Sequence, residues 1–160
     1  MEAIKVSILM GSKSDFEVMS SASAILDQFN VSYEVKVLSA HRTPEDTRDY
    51  VISLEDRGVE AIIAGAGFAA HLAGVVASHT ILPVIGVPLP GSALNGVDSL
   101  YSTVQMPGGI PVATMTIGKA GAKNAGLFAV QILSRKDPEL VKRLKDYRAE
   151  MRKQVLESNN

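Results

Sequence analysis

Apolar residues gather in short runs separated by loops and by stretches of helical spacing. Residues 4–10 (IKVSILM) form the first run, ended by Gly11. From Asp15 onward, Phe16, Met19, Ala22, Leu26 and Phe29 recur with the spacing of one helix face. Residues 33–38 alternate, Tyr33, Val35 and Val37 against Glu34 and Lys36, which is the period of a strand. Thr43-Pro44-Glu45-Asp46 carries a helix start, with Thr43 at the N-cap, Pro44 at the first helical position and an acid three residues past the cap. Gly58 ends that helix.

The alternation continues to the C-terminus. Residues 61–64 predict a strand that runs into the small-residue loop Gly65-Ala66-Gly67 and a helix over about 69–80. A strand over 84–87, a short helix near 97–104 and a fifth strand over 112–117 follow. Residues 120–133 read as an Ala/Gly-rich helix whose small side chains permit close backbone approach. A last amphipathic helix sets Leu140, Leu144, Tyr147, Met151 and Val155 on one stripe. Five strands alternating with helices imply an α/β chain with a parallel sheet covered on both faces. With no repeat, low-complexity tract or linker, residues 1–160 read as a single domain. Ligands in such folds sit beyond the carboxyl ends of the strands, where strand order reverses, which directs attention to the loops after the first three strands.

Charge changes the picture in two ways. Sixteen Lys+Arg against 17 Asp+Glu give a net charge of −1, with no basic footprint for a nucleic-acid backbone or an anionic membrane. An anionic ligand must therefore be held locally. From residue 61 to 118, however, the single formal charge is Asp98. A membrane span is excluded there because His71, Ser78, His79, Thr80, Pro83, Pro88 and Pro90 interrupt the stretch before about 20 apolar residues accumulate. Such a dry segment fits burial between subunits, and the expectation is a homo-oligomer. The absence of cysteine removes disulfides, thiolate metal sites and cysteine nucleophiles. Glu2 and Lys5 crowd the first apolar run too closely for a secretory leader, so a cytoplasmic protein is expected.

The first loop, Gly11-Ser12-Lys13-Ser14-Asp15, offers hydroxyls and backbone N–H groups at a helix start, a cradle for one phosphate. The same residues are what a plain capped turn needs, and Asp15 could cap or accept from a sugar hydroxyl. It lacks the G-x-x-x-x-G-K-[ST] spacing of a triphosphate loop. The second loop sets Ser39, Ala40, His41 and Arg42 before Thr43. Imidazole is suited to proton transfer near neutral pH, and guanidinium holds phosphate or carboxylate by paired hydrogen bonds; a solvated loop with an ordinary histidine is the bland alternative.

The third loop, Gly65 to His71, matches G-x-G-x-x-A. It follows the third strand and has no acid about 20 residues on for a ribose, so a dinucleotide site is not supported. Its glycines would still let backbone amides approach a small planar or anionic ligand. His71 and His79 lack zinc-pair spacing, no G-x-S-x-G elbow occurs, and Ala64-Gly65 stand where a receiver domain needs an acceptor Asp.

Taken together, MGSKSD at 10–15, SAHRTP at 39–44, AGAGFAAHLAG at 64–74, LPVIGVPL, GVDSLYSTVQMP at 96–107 and IGKAGAKNA from Ile117 resemble the 5-(carboxyamino)imidazole ribonucleotide mutase family, over roughly residues 4–156. The resemblance implies a flavodoxin-like three-layer α/β/α fold with a five-stranded parallel sheet plus a C-terminal helix. It also implies a homo-octamer with active sites at subunit contacts and no metal or organic cofactor. The family isomerase reaction, in de novo purine (IMP) biosynthesis, moves a carboxylate from the exocyclic nitrogen of the substrate to a ring carbon. By resemblance His41 is the general acid/base, Ser12 and Asp15 bind substrate and Arg42 holds its phosphate. Gly11, Ser39, Gly65, Gly67, Ala69, His71 and Leu72 complete the expected site.

Phe68 stands where many relatives have Gly, Ala73 where many have Pro, and Gly108 where an Arg or Pro is frequent. A sister group carboxylates aminoimidazole ribonucleotide directly with CO2; Arg42 and the Phe68–His71 pattern resemble the mutase group. A non-catalytic binder of a phosphorylated metabolite is the alternative from another class.

Overall fold

The computed structural model describes residues 3–159, so Glu2 of the leader argument lies outside the described residues. Five parallel strands, β1 (Val6–Met10), β2 (Tyr33–Val37), β3 (Ala61–Ala66), β4 (Val84–Pro88) and β5 (Ala113–Thr114), line up in the order β2-β1-β3-β4-β5. This is the flavodoxin-like order, with its reversal at β1. The helices are α1 (Phe16–Gln28), α2 (Pro44–Asp56), α3 (Leu72–Ala77), α4 (Val97–Val104), α5 (Lys119–Leu133) and α6 (Pro138–Glu157). No helix among the described residues is long and apolar enough to cross a membrane.

Because side chains alternate across a strand, each central strand feeds two cores. Val6, Ile8, Met10, Ile63, Ile85 and Val87 point to the face covered by α1 and α5, while Leu9, Ile62, Ala64 and Val84 meet Val51, Leu54, Leu72 and Val76 of α2 and α3. Each fully buried Leu or Ile contributes about 1.5–3 kcal/mol relative to exposure. The α1–α5 contact is close, as the small residues of α5 led one to expect: a Cβ on Gly126 would lie 2.8 Å from the Ala22 carbonyl oxygen.

Four elements depart from the sequence expectation. β3 continues through Gly65 and Ala66, since Gly65 pairs with Met10 and Val87 in a buried ladder. The third helix begins only at Leu72 because Phe68, at φ 54, is left-handed and breaks any earlier turn. It ends at Ala77, followed by tight i→i−3 bonds from Ser78 to Val75 and from His79 to Val76. Thr80 then donates to Glu55 and accepts from Leu82 N–H, diverting the backbone.

β5 is short for a chemical reason. Its ladder with β4 pairs Gly86 with Thr114, and the next rung would need an N–H from Pro88, which has none. Gly118 N–H instead reaches the Pro88 carbonyl at 2.9 Å. In α6, Leu140 is buried and Leu144 and Tyr147 pack partly against the core, but Met151 and Val155 of the same stripe are exposed.

Candidate active site

The loops after β1, β2 and β3 meet in a cavity of about 470 Å³, at the carboxyl ends of the strands. A larger cavity of about 650 Å³ lies between α1, α5 and α6, away from the strand ends and lined largely by helix-surface side chains such as Lys123, Asp146 and Glu150. The smaller one gathers imidazoles, a guanidinium, hydroxyls and a carboxylate.

In the first loop, Ser12 and Asp15 form a reciprocal capping box over the 3-10 turn Lys13–Asp15 that leads into α1. Ser12 N–H donates to Asp15 Oδ2 at 2.9 Å, and the Ser12 and Ser14 hydroxyls lie 3.0 Å apart. Asp15 thus caps while also lining the cavity. Burial pushes its carboxyl up from the ordinary range, opposed by the Ser12 N–H, the Arg42 charge and the Gly11 N–H.

The second loop is held from within. Thr43 occupies the N-cap position of α2, but its hydroxyl makes no capping bond; it accepts from Ser39 N–H at 2.9 Å and donates to the Ser39 carbonyl at 3.1 Å. The acid three residues past the cap, Asp46, therefore completes no capping box. Ser39 Oγ accepts from Arg42 N–H at 3.2 Å and from Arg42 Nε at 3.4 Å. Arg42 Nη2 crosses to the first loop and donates to the Gly11 carbonyl at 2.8 Å. One guanidinium therefore ties two strand ends together beside the Ser12 and Ser14 hydroxyls, with its remaining donors available to an anion.

His41 Nε2 lies 2.6 Å from His71 Nδ1, with the rings near perpendicular at 86°. At that separation one ring nitrogen donates to the other, and the tautomers of the two rings fix which is the donor. Both histidines are exposed to the cavity mouth.

Of the residues singled out from sequence, Gly11, Ser12, Asp15, Ser39, His41, Arg42, Gly67, Ala69, His71 and Leu72 line this cavity together. Gly65 does not. It is buried in β3, where a Cβ would run into the Met19 thioether, so its small size serves the core. His79 lies beyond α3 and outside the cavity. The cavity also takes in Ser14 of the first-loop cradle, and Phe68 and Pro90, which the sequence does not single out as site residues. Ser14 shares the first loop, but Pro90 enters from the loop after β4, and only the adjacency of β3 and β4 reveals that. Among the described residues, no group of three or more His, Asp or Glu gathers as a metal cluster would.

A five-stranded parallel sheet with its strand-order reversal under a polar cavity defines a flavodoxin-like α/β protein whose strand-end cavity has the position of a ligand site in that class. The chain belongs to the AIR carboxylase family, whose sequence model matches residues 5–154. It is 57% identical to the N5-carboxyaminoimidazole ribonucleotide mutase of Bacillus subtilis, over 97% of this chain and 96% of that protein. It is 58% identical to the protein of the same name from Pyrococcus abyssi, over 93% of this chain and 84% of that one. The crystal structure of Treponema denticola PurE superposes with a TM-score of 0.87 at 31% identity, covering 96% of this chain and 95% of that one.

Proposed function

We propose that this protein is an isomerase of de novo purine (IMP) biosynthesis that converts 5-(carboxyamino)imidazole ribonucleotide to 4-carboxy-5-aminoimidazole ribonucleotide. The name shared by its relatives supports the substrate and the reaction. The observation that carries the reading is the juxtaposition, in one cavity, of an imidazole pair with an arginine fixed between two loops.

The reaction runs in two halves. The bond between the exocyclic nitrogen and the carboxylate carbon breaks, its electron pair stays on nitrogen, and the nitrogen takes a proton from His41. CO2 is released within the cavity. The ring carbon then attacks CO2, a carbon–carbon bond forms, and the proton of that ring carbon passes to the now neutral His41. One proton is given and one taken back, so a single group suffices and the sum is an isomerisation. Arg42 and Ser39 hold the phosphate; Ser12, Asp15 and the Gly11 backbone hold the ribose end. Gly67, Ala69, His71 and Leu72 surround the heterocycle. No metal, nucleotide or organic cofactor has a role in this sequence of steps.

The proposal extends to assembly. The protein acts as a single-domain, cytoplasmic homo-octamer with sites at subunit contacts, taking a small molecule and neither nucleic acid nor membrane. Supporting this, the nearly uncharged centre leaves Ile81 91% exposed, Tyr101 63% exposed and Leu94 62% exposed in the single chain, and Val155 of α6 is 66% exposed.

The test supplies the wild-type protein with substrate carrying carbon-13 in its carboxylate, without bicarbonate, and separately supplies aminoimidazole ribonucleotide with bicarbonate. The proposal expects the label to move to the ring carbon in the first arm. Product from the second arm alone means a direct carboxylase, and product from neither means a binder; both contradict it.

A further inference from the structure

Phe68 breaks two ordinary rules at one position. Its backbone lies at φ 54, the left-handed region that favours glycine, and its ring is 65% exposed where a large apolar side chain would normally be buried. The loop is not slack enough to make this incidental. On one side Leu89 N–H donates to the Ala66 carbonyl at 2.9 Å; on the other, Ala70 N–H donates back to the Phe68 carbonyl at 2.9 Å, and Ala70 and Leu72 are each 2% exposed. The chain is pinned at both ends and bulges between them, carrying the ring over the cavity. A strained, exposed aromatic that the surrounding structure holds in place points to function.

The cavity wall has two characters. Ser12, Ser14, Asp15, Ser39 and Arg42 form the polar side; Ala66, Ala69, Ala70, Leu72, Pro90 and Phe68 form the apolar one. The imidazole pair joins them, since His41 comes from the polar second loop and His71 from the apolar third. The phosphate belongs with the arginine, so the heterocycle and its migrating carbon fall toward the apolar side. Of that wall's members Phe68 has the largest side chain, and unlike the buried Leu72 it stands exposed, free to roof a neutral, linear molecule.

We infer that Phe68 is the retaining wall for CO2 in this protein: its ring closes the apolar end of the cavity during the interval between C–N cleavage and C–C formation. The inference rests on the mutase reading above. The reacting groups are unchanged by it; the ring acts by keeping CO2 in and water out. The backbone strain at Phe68 is the structural cost of placing a ring there where glycine would sit unstrained.

The experiment measures leakage. Unlabelled substrate is turned over in carbon-13 bicarbonate by wild type, Phe68→Gly and Phe68→Leu, with an enzyme-free control for spontaneous loss of CO2. Label in the product, and free aminoimidazole ribonucleotide per turnover, report escape. Wild type should return the substrate's own carbon. Phe68→Gly should raise label incorporation by about tenfold or more, the scale on which lost apolar contact is read in a pocket, and Phe68→Leu should restore much of the retention.

Thermal melting separates this from misfolding, because glycine is at ease at φ 54 and Phe68→Gly should melt no lower than wild type. Label uptake in Phe68→Gly equal to wild type overturns the inference. So does a raised KM with no leakage, which would make the ring a stacking surface, or a changed oligomeric state without leakage, which would make it an interface residue. Failure of wild type to turn over the substrate at all defeats the mutase reading and this inference with it; turnover with leakage indifferent to Phe68 defeats this inference alone.

Discussion

Replacing Arg42 tests the anion clamp at its most connected residue. In the free protein the guanidinium donates to the Gly11 carbonyl at 2.8 Å and to Ser39 Oγ at 3.4 Å, leaving further donors for the substrate phosphate. Arg42→Ala removes a charge-assisted interaction with phosphate, an effect of about 1.5–3 kcal/mol, or roughly 10- to 150-fold in affinity. The phosphate lies away from the migrating carboxylate, so the loss should fall on ground state and transition state alike. KM rises while kcat changes little. The discriminating assay compares the ribonucleotide with the nucleoside that lacks the phosphate. Wild type should favour the ribonucleotide in kcat/KM by the factor above, and Arg42→Ala should accept both nearly equally. Arg42→Lys should recover only part, because an ammonium cannot span the two loops as the fork does. If Arg42→Ala keeps the full preference for the phosphorylated molecule, the clamp is elsewhere and the assignment of the polar wall fails.

Two further outcomes follow from packing and charge. Gly126→Ala places a methyl 2.8 Å from the Ala22 carbonyl and 2.9 Å from Ile25 Cβ. Forcing α1 and α5 apart should cost about 1–3 kcal/mol, read as a lower melting temperature, and an unchanged melt would refute the close contact. Asp15→Asn keeps an acceptor for Ser12 N–H without the charge. Burial raises the Asp15 carboxyl in the folded state, so its contribution to stability is full below the ordinary Asp range and is lost as pH rises through the raised value. The stability of Asp15→Asn relative to wild type in urea titrations should therefore grow with rising pH across that interval; a difference that shrinks contradicts the burial effect.

Much of the architecture was legible because the chain writes it locally. Short apolar runs mark β1, β3, β4 and β5, alternation marks β2, and the four-residue start Thr43-Pro44-Glu45-Asp46 marks α2. The misreadings lie where a nonlocal partner decides. β5 stops where Pro88, on the neighbouring strand, has no N–H to offer. Gly-Ala-Gly is loop chemistry, yet the neighbours of Gly65 in the ladder and the Met19 side chain make it core. Thr43 is the N-cap of α2 as its position indicates, but its hydroxyl bonds Ser39 instead of the N–H groups of the first turn.

The site divides the same way. Ser12, His41, Arg42 and His71 were conspicuous by residue type beside strand ends. Their joining depends on β1 sitting between β2 and β3, and no spacing in the sequence states that His41 Nε2 and His71 Nδ1 come within 2.6 Å. Pro90 is invisible for the same reason. Phe68 stood out only as a bulky residue in a glycine loop, and its left-handed backbone, which carries the further inference, appears only in three dimensions.

Proton transfer through His41 is the point on which the account turns, and His41→Asn measures it. Asparagine can hold a hydrogen bond but cannot shuttle a proton. Substrate affinity should stay near wild type by equilibrium titration, while turnover falls by about 10²–10⁴-fold in both directions of the reaction. Turnover at the wild-type rate in either direction, with the substrate still bound, would contradict the mechanism proposed here.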